Sequence, residues 1–169
     1  MSIDQAIRTA IEYENKIRDV YRDAAERATN AVGRRVFRLL AEEEQHHVDY
    51  LEARLAEWER DGRLRLEDIE SIVPPTESIE AAAGRLAEKL GGGDVRAEAE
   101  MLARAREVEK ETGDFYKRMV AELDGDEREF FRRFVEIEEG HLAIVDAELD
   151  AVRRAGFWFD MPEFDLESA

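Results

Sequence analysis

The chain has 169 residues, of which 44% are hydrophobic and 40% charged, and its 25 basic and 42 acidic residues give a net charge of −17. This length suits one compact domain, and the negative charge argues against nucleic acid or an anionic membrane surface as a partner, since both would repel it. Because the chain has no cysteine, disulfides, thiolate metal sites and iron–sulfur clusters are excluded, and any metal ion must be held by oxygen and nitrogen ligands. The sequence shows no signal core and no membrane-spanning run, so a cytoplasmic location is expected.

The first predicted hairpin consists of two amphipathic helices joined by a turn. Ser2 and Gln5 form the sequence signature of an N-terminal capping box, and apolar residues then recur at helical spacing to about Asn30. The segment TNAVGRR is expected to form the turn, with Asn30 and Gly33 as the residues that break the helix. A second amphipathic helix follows and is expected to end near Asp61.

Residues 63–94 form the predicted crossover, because Pro74 and Pro75 cannot continue a helix. The stretch SIEAAAGRLAEKLGGGD within it predicts a short helix that is capped by Ser78 and ended by three glycines. After Asp94 a third helix, a turn at LDGDE and a fourth helix form the second hairpin. The predicted fold is therefore all-α, a four-helix bundle of two antiparallel hairpins joined by one long crossover.

The predicted bundle spans residues 1–150, and residues 151–169 form a C-terminal tail. A domain break at the two prolines is the competing interpretation, but it would leave an apolar face of each hairpin unburied. The tail carries four aromatic residues, at positions 157–159 and 164, which would make an unusual apolar patch if exposed. We expect the tail to pack on the bundle or on a neighbouring subunit, with a docking motif for another protein as the alternative.

The two halves of the sequence repeat each other. AIEYENKIRDVY (10–21) aligns with AREVEKETGDFY (105–116) at an offset of 95 residues, and FRLLAEEEQHH (37–47) aligns with FRRFVEIEEGH (131–141) at an offset of 94. In each half, two glutamates and one histidine are repeated at positions on the apolar face of a helix. These residues are Glu14, Glu44 and His47 in the first half and Glu109, Glu138 and His141 in the second.

The repeated residues predict a metal site. The Glu-x-x-His spacing places both side chains on one side of a helix, about one turn apart. A buried carboxylate is costly unless it is paired or bound to a metal, and four converging carboxylates could not all stay ionised without cations. We therefore expect these residues to hold two metal ions, whereas a single Glu-x-x-His would more often belong to a charged helix surface. His46 is expected to lie at the surface. The other acidic residues near the motifs are expected to be solvated: Glu12, Glu42, Glu43, Glu107 and Glu139.

A glutamate in helices one and three, together with Glu-x-x-His in helices two and four, resembles the ferritin-like di-iron superfamily and, within it, the rubrerythrin family. The resemblance covers residues 3–150. It implies two non-haem iron ions per chain, with manganese or a mixed pair as the alternative. It also implies an oxidoreductase that reduces hydrogen peroxide or dioxygen while Fe(II) is oxidised, in oxidative-stress defence or iron handling.

Two features depart from the family pattern. Full rubrerythrins end in a four-cysteine rubredoxin domain that delivers electrons, whereas this chain has no cysteine, so a separate electron donor is expected. Rubrerythrins also carry an additional glutamate in helix three, but the residue three positions after Glu109 is Thr112. Glu107 or Glu111 could take its place only if the helix were irregular there.

Tyr21 and Tyr116 lie two helical turns from Glu14 and Glu109. They are expected either to hydrogen-bond the ligand carboxylates and pass protons during catalysis or to be plain core residues. A homodimer or small homo-oligomer is the expected assembly. Ferritin-like iron storage and a non-catalytic helical interaction protein with structural or absent metals are the alternative functions.

Overall fold

The structure is a computed structural model that describes residues 1–66, 69, 71, 74, 78–79, 96–156 and 158–159. Four helices and no strand occur in these residues: α1 (Ile3–Arg27), α2 (Ala31–Asp61), α3 (Arg96–Glu122) and α4 (Gly125–Ala155). Helix α1 packs along α2, α3 packs along α4, and α1 also contacts α3. The predicted all-α bundle of two hairpins is confirmed. The short helix predicted in the crossover lies almost wholly outside the described residues.

Local signals in the sequence account for the helix ends. Ser2 precedes α1, and its backbone N–H donates to Gln5 Oε1 at 3.4 Å. The Asn30 side-chain oxygen accepts from the backbone N–H groups of residues 32 and 33 at 2.8 and 3.1 Å, so that α2 begins at Ala31. Helix α2 ends at Gly62, which has a φ of +63° in the left-handed region that favours glycine. None of the four helices, within the described residues, combines the length and apolar character needed to span a membrane.

Gly33 does not break the helix as predicted but lies in the first turn of α2. A Cβ atom at this position would lie 2.6 Å from the ring of Trp158, so the tail can pack here only against glycine. Trp158 and Phe159 are buried, and the Trp158 ring meets the edge of Phe37 at a centroid distance of 5.3 Å. The backbone N–H of Phe159 donates to the buried carboxylate of Glu148 at 3.0 Å. The tail beyond Phe159 lies outside the described residues.

The apolar core falls into two clusters, one at each end of the bundle. The Trp158 cluster includes Ile17, Tyr21, Phe37, Leu40, Ile144 and Trp158. The Phe134 cluster includes Ala10, Leu51, Tyr116, Phe131, Phe134 and Ile137. On α4, Glu138 and His141 lie between Ile137 of one cluster and Ile144 of the other, and Glu14 lies similarly between Ala10 and Ile17 on α1. A layer of polar side chains therefore separates two apolar regions in the middle of the bundle.

Candidate metal centre

The six repeated residues come together in this polar layer. Each of their side chains is at most 2% exposed, and they come from all four helices: Glu14 from α1, Glu44 and His47 from α2, Glu109 from α3, and Glu138 and His141 from α4. Helical periodicity explains the convergence, because every one of these residues lies on the apolar face of its helix. Burial of so many ionisable groups is unfavourable unless they compensate one another or bind a cation.

Glu44 lies between the two histidines. His47 Nδ1 is 3.0 Å from one oxygen of Glu44, and His141 Nδ1 is 2.8 Å from the other. The two imidazole rings are stacked, with centroids 5.3 Å apart and an interplanar angle of 13°. Glu138 is the second carboxylate near both rings, since its Oε1 atom is 3.9 Å from the Nδ1 atom of each histidine.

The two remaining carboxylates each approach one histidine. Glu14 Oε2 is 3.2 Å from His47 Nδ1, and Glu109 Oε1 is 3.8 Å from His141 Nδ1. Each half of the repeat thus has its own carboxylate–histidine pair. Four of the residues also present ligand-type atoms that all lie within 4.8 Å of one another: Glu44, His47, Glu138 and His141.

Several buried polar atoms of the cluster lack a hydrogen-bond partner within the described part of the chain, which bears on whether the cluster can hold metal ions. The Nε2 atoms of His47 and His141 and both carboxylate oxygens of Glu138 have no hydrogen-bond partner among the described residues. Such atoms are rarely left buried without a partner, because each loses its hydration. Carboxylate oxygens and imidazole nitrogens are ligands that suit iron, and the ferritin-like bundles hold their metal ions with this set of side chains. The residues present therefore fit a pair of iron ions.

The carboxylates differ in their affinity for protons. Burial raises the pKa of Glu14 to about 7, although the positive charge of His47 opposes this. Burial, helped by the negative charge of Glu44, raises the pKa of Glu109 to about 7. Burial and the charges of Glu14 and Glu44 likewise raise the pKa of Glu138 well above its usual value. These three carboxylates hold protons near neutral pH unless a cation takes their place.

Glu44 and the histidines behave in the opposite way. Burial alone would raise the pKa of Glu44, but His141 and His47 beside it hold that pKa well below its usual range. Burial would lower the pKa of each histidine, but the adjacent carboxylates dominate. Glu44 raises the pKa of His141 to about 9, and Glu14 and Glu44 raise that of His47 well above its usual value. Without a metal ion, protonated imidazoles supply the positive charge of the cluster.

Each of the two tyrosines forms a hydrogen bond to a carboxylate of the other half. Tyr21 of α1 donates its hydroxyl hydrogen bond to Glu109 Oε1 of α3, and Tyr116 of α3 donates to Glu14 Oε1 of α1. Each tyrosine therefore reaches the carboxylate of the other half and not the one two turns away on its own helix. Burial, and then the charge of the accepting carboxylate, raise the pKa of each tyrosine well above its usual value, so both remain donors.

One expectation about the neighbouring acidic residues is wrong. Glu43 was expected to be solvated, but it is only 1% exposed. It follows Leu40 by three residues and precedes His47 by four, which places it on the buried side of α2. Its counterpart in the second half is the core residue Ile137, and this was the signal for its burial. The other residues expected at the surface are exposed: Glu12, Glu42, His46, Glu107 and Glu139.

The structure places no seventh carboxylate beside the cluster in the described part of α3. Helix α3 is continuous here, and the hydroxyl of Thr112 donates to the backbone oxygen of Val108 at 3.0 Å. Glu111 points outward and pairs with Lys16, and Glu107 lies 3.5 Å from Arg106 at the surface. The two candidate substitutes for the family's extra glutamate therefore face solvent.

Phe134 contacts the cluster, although it was not among the residues predicted for the site. Its ring meets the edge of the His47 ring at a centroid distance of 5.8 Å and stacks on Tyr116 at 4.8 Å. The repeat aligns Phe134 with Leu40 of the first half, so no shared residue type marked the position. Its place beside the histidine depends on how α2 and α4 pack.

The fold and the cluster together define a helical bundle with a candidate metal site in its core. The family model for rubrerythrin matches residues 5–149, and the chain therefore belongs to the rubrerythrin family. Comparison with curated proteins and with solved structures yields no match. The family match covers both helical hairpins and all six residues of the cluster.

Proposed function

We propose that this protein is a di-iron oxidoreductase that binds two iron ions at the six-residue cluster and reduces hydrogen peroxide or dioxygen. The observation that supports it most strongly is the buried carboxylate of Glu138, because both of its oxygens lack a hydrogen-bond partner among the described residues although they lie beside two stacked histidines. Membership of the rubrerythrin family supports iron as the metal.

The distances suggest how the side chains share the two ions. Glu14 with His47, and Glu109 with His141, form one pair in each half and would each hold one ion. Glu44 and Glu138 lie near both histidines and would complete the set of ligands that holds the pair. The four carboxylates would offset the positive charge of the ions in a site that is shielded from water.

Iron bound in this site would supply the two electrons that, with two protons, reduce one hydrogen peroxide molecule to two water molecules. Tyr21 and Tyr116 hold their protons at the oxygens of Glu109 and Glu14 and keep those carboxylates oriented. Their hydroxyl groups are also the nearest protein proton donors to those two carboxylate oxygens. Burial of all six residues at 2% exposure or less keeps competing water from the site.

The test is anaerobic loading with Fe(II), followed by stopped-flow mixing with hydrogen peroxide or with dioxygen. We expect two iron ions per chain and oxidation that is faster with one of the two oxidants, followed by repeated turnover when a reductant is supplied. A chain that binds no iron, or that binds iron without consuming either oxidant, would contradict the proposal. Loading with Mn(II) in parallel determines whether manganese replaces iron.

The proposed reaction requires a reductant, and the proposed assembly distinguishes this function from iron storage. We propose that a separate electron donor returns the iron to Fe(II). We propose a homodimer or small homo-oligomer, measured by light scattering of the iron-loaded protein. A large hollow assembly that accumulates many iron ions per chain would instead indicate iron storage.

A further inference from the structure

We propose that Phe134 closes an access route through which small oxidants reach the metal centre from a pocket between α2, α4 and the start of the crossover. This inference rests on the proposed function, because it assumes that a molecule from solvent must reach the six-residue cluster. The cluster is buried at 2% exposure or less, so such a molecule needs a route through the packed helices.

A cavity of about 140 Å³ lies on this side of the bundle. Its apolar lining comes from Tyr50 of α2, Phe130 and Phe134 of α4, and Leu66 and Ile69 of the following segment, and Glu129 and Arg133 of α4 also line it. The volume is enough for a few molecules the size of water. A space of this size, lined by aromatic rings and by the charged side chains of Glu129 and Arg133, suits small molecules such as dioxygen, hydrogen peroxide or azide.

Phe134 forms both the wall of this cavity and part of the surroundings of the cluster. One side of its ring lines the cavity, and the same ring meets the edge of His47 and stacks on Tyr116. A single aromatic side chain therefore separates the cavity from a histidine of the centre. Rotation of that ring away from His47 would connect the two.

The opposite side of the centre is closed. Leu40, the counterpart of Phe134 in the repeat, belongs to the Trp158 cluster, where Trp158 and Phe159 are packed at 3% and 2% exposure. The larger cavity of about 490 Å³ between α1 and α2 is lined by residues such as Arg22, Arg38 and His46, and none of its lining residues belongs to the six or to the two tyrosines. Neither of these two cavities is lined by one of the six residues, but Phe134, which lines the smaller cavity, contacts the ring of His47.

Azide binding to the Fe(III)-loaded protein tests the route without requiring turnover. We expect Phe134→Ala to raise the association and dissociation rates of azide by the same factor, about tenfold, with an unchanged Kd, because a gate affects entry and exit equally. Phe134→Leu, which keeps the residue type found at position 40, should raise both rates by about threefold and serves if the alanine variant does not fold. Leu40→Ala is the matched control and should leave both rates unchanged.

The azide result can overturn the inference in two ways. Wild-type rates in both Phe134 variants would show that this ring does not limit access. Equal acceleration in Leu40→Ala would show that loosening the core anywhere has the same effect. A changed Kd with an unchanged association rate would assign Phe134 to ligand positioning instead of access.

Dioxygen used as a paramagnetic probe tests the same route without iron. In the Zn(II)-loaded or metal-free protein under oxygen pressure, we expect the side-chain NMR signals of Phe130, Phe134 and Tyr50 to relax at least about threefold faster than those of Leu40 and Phe37. Equal relaxation in the two groups would overturn the inference. Because this experiment needs neither iron nor turnover, failure of the proposed oxidoreductase activity would leave its result unaffected.

Discussion

The two halves of the bundle, α1–α2 and α3–α4, supply matching side chains to the centre, but the two ends of the bundle surround it differently. Each half brings two glutamates, one histidine and one tyrosine, and each tyrosine donates to the glutamate of the other half. Toward one end, the centre packs against the Trp158 cluster, which the buried tail closes. Toward the other end, it packs against Phe134 and the cavity beside it.

The two central carboxylates show the same contrast in their electrostatics. The Nδ1 atoms of both histidines lie close to the carboxylate oxygens of Glu44, and the histidines hold the pKa of Glu44 well below its usual range. Burial and the charges of Glu14 and Glu44 raise the pKa of its counterpart Glu138, whose oxygens have no hydrogen-bond partner among the described residues. A repeated sequence can therefore place equal ligands at a site without giving them equal environments.

The largest expected effect comes from removing the carboxylate that both histidines contact. Glu44→Ala should lower metal affinity by roughly 100-fold or more and abolish peroxide reduction, since it removes the proposed ligand that lies closest to both histidines. Iron content after anaerobic loading and desalting measures this. Glu42→Ala, an exposed glutamate on the same helix, is the matched control and should retain two ions. An E44A protein that still binds two iron ions would refute the ligand assignment.

The tyrosines test whether the two halves contribute equally to the reaction. Tyr21→Phe and Tyr116→Phe should each leave the iron content unchanged and slow peroxide reduction by about tenfold, because each removes the hydrogen bond to one carboxylate. Stopped-flow rates of the iron-loaded variants measure the effect. A larger loss in Tyr116→Phe would indicate that the oxidant arrives on the Phe134 side, whereas unchanged rates in both would assign the tyrosines to packing alone.

The pH dependence of stability should differ between the metal-free and metal-loaded protein. The folded-state pKa of Glu14 and of Glu109 is raised to about 7, so the metal-free fold holds protons there that the unfolded chain releases, and stability falls as pH rises toward 7. The pKa of His141 is raised to about 9, so its contribution is complete below pH 6.5 and is lost as pH rises through 9.

Both contributions have the same sign. We therefore expect the unfolding free energy of the metal-free protein to fall steadily between pH 5 and pH 9. Bound metal needs the deprotonated ligands, so the metal-loaded protein should gain stability over the same range. Urea titrations at each pH measure both curves. Replacing Glu14 and Glu109 by glutamine should flatten the metal-free curve below pH 7, and an unaltered slope would contradict the assignment.

The smallest expected effect concerns the tail that closes one end of the bundle. Gly33→Ala should destabilise the protein by about 1–2 kcal/mol, because the added Cβ would lie 2.6 Å from the Trp158 ring. Gly113→Ala is the matched control, since its Cβ would lie 3.8 Å from the nearest side-chain atom, and alanine there should stabilise α3 by about 0.5–1 kcal/mol. Chemical denaturation of the metal-free proteins measures both. Equal effects of the two substitutions would show that the contact with Trp158 is not responsible.

Much of the site could be predicted from the sequence because its signals are local. Helical periodicity places Glu14, Glu44 and His47 on apolar faces, the repeat identifies the matching residues of the second half, and capping residues such as Asn30 mark where helices begin. These patterns depend only on residues within a few turns of one another. They were enough to predict the bundle and to select six residues that the structure brings together.

Only the tertiary structure decided which residues meet across helices. Four features depend on contacts between elements that are distant in the chain. They are the hydrogen bond of each tyrosine to a carboxylate of the other half, the burial of Glu43, the packing of Trp158 against Gly33 and the contact of Phe134 with His47. Periodicity tells which face of a helix is buried, but not which neighbour that face meets or how closely the two approach. Those are set by the packing of all four helices at once, which no single stretch of sequence encodes.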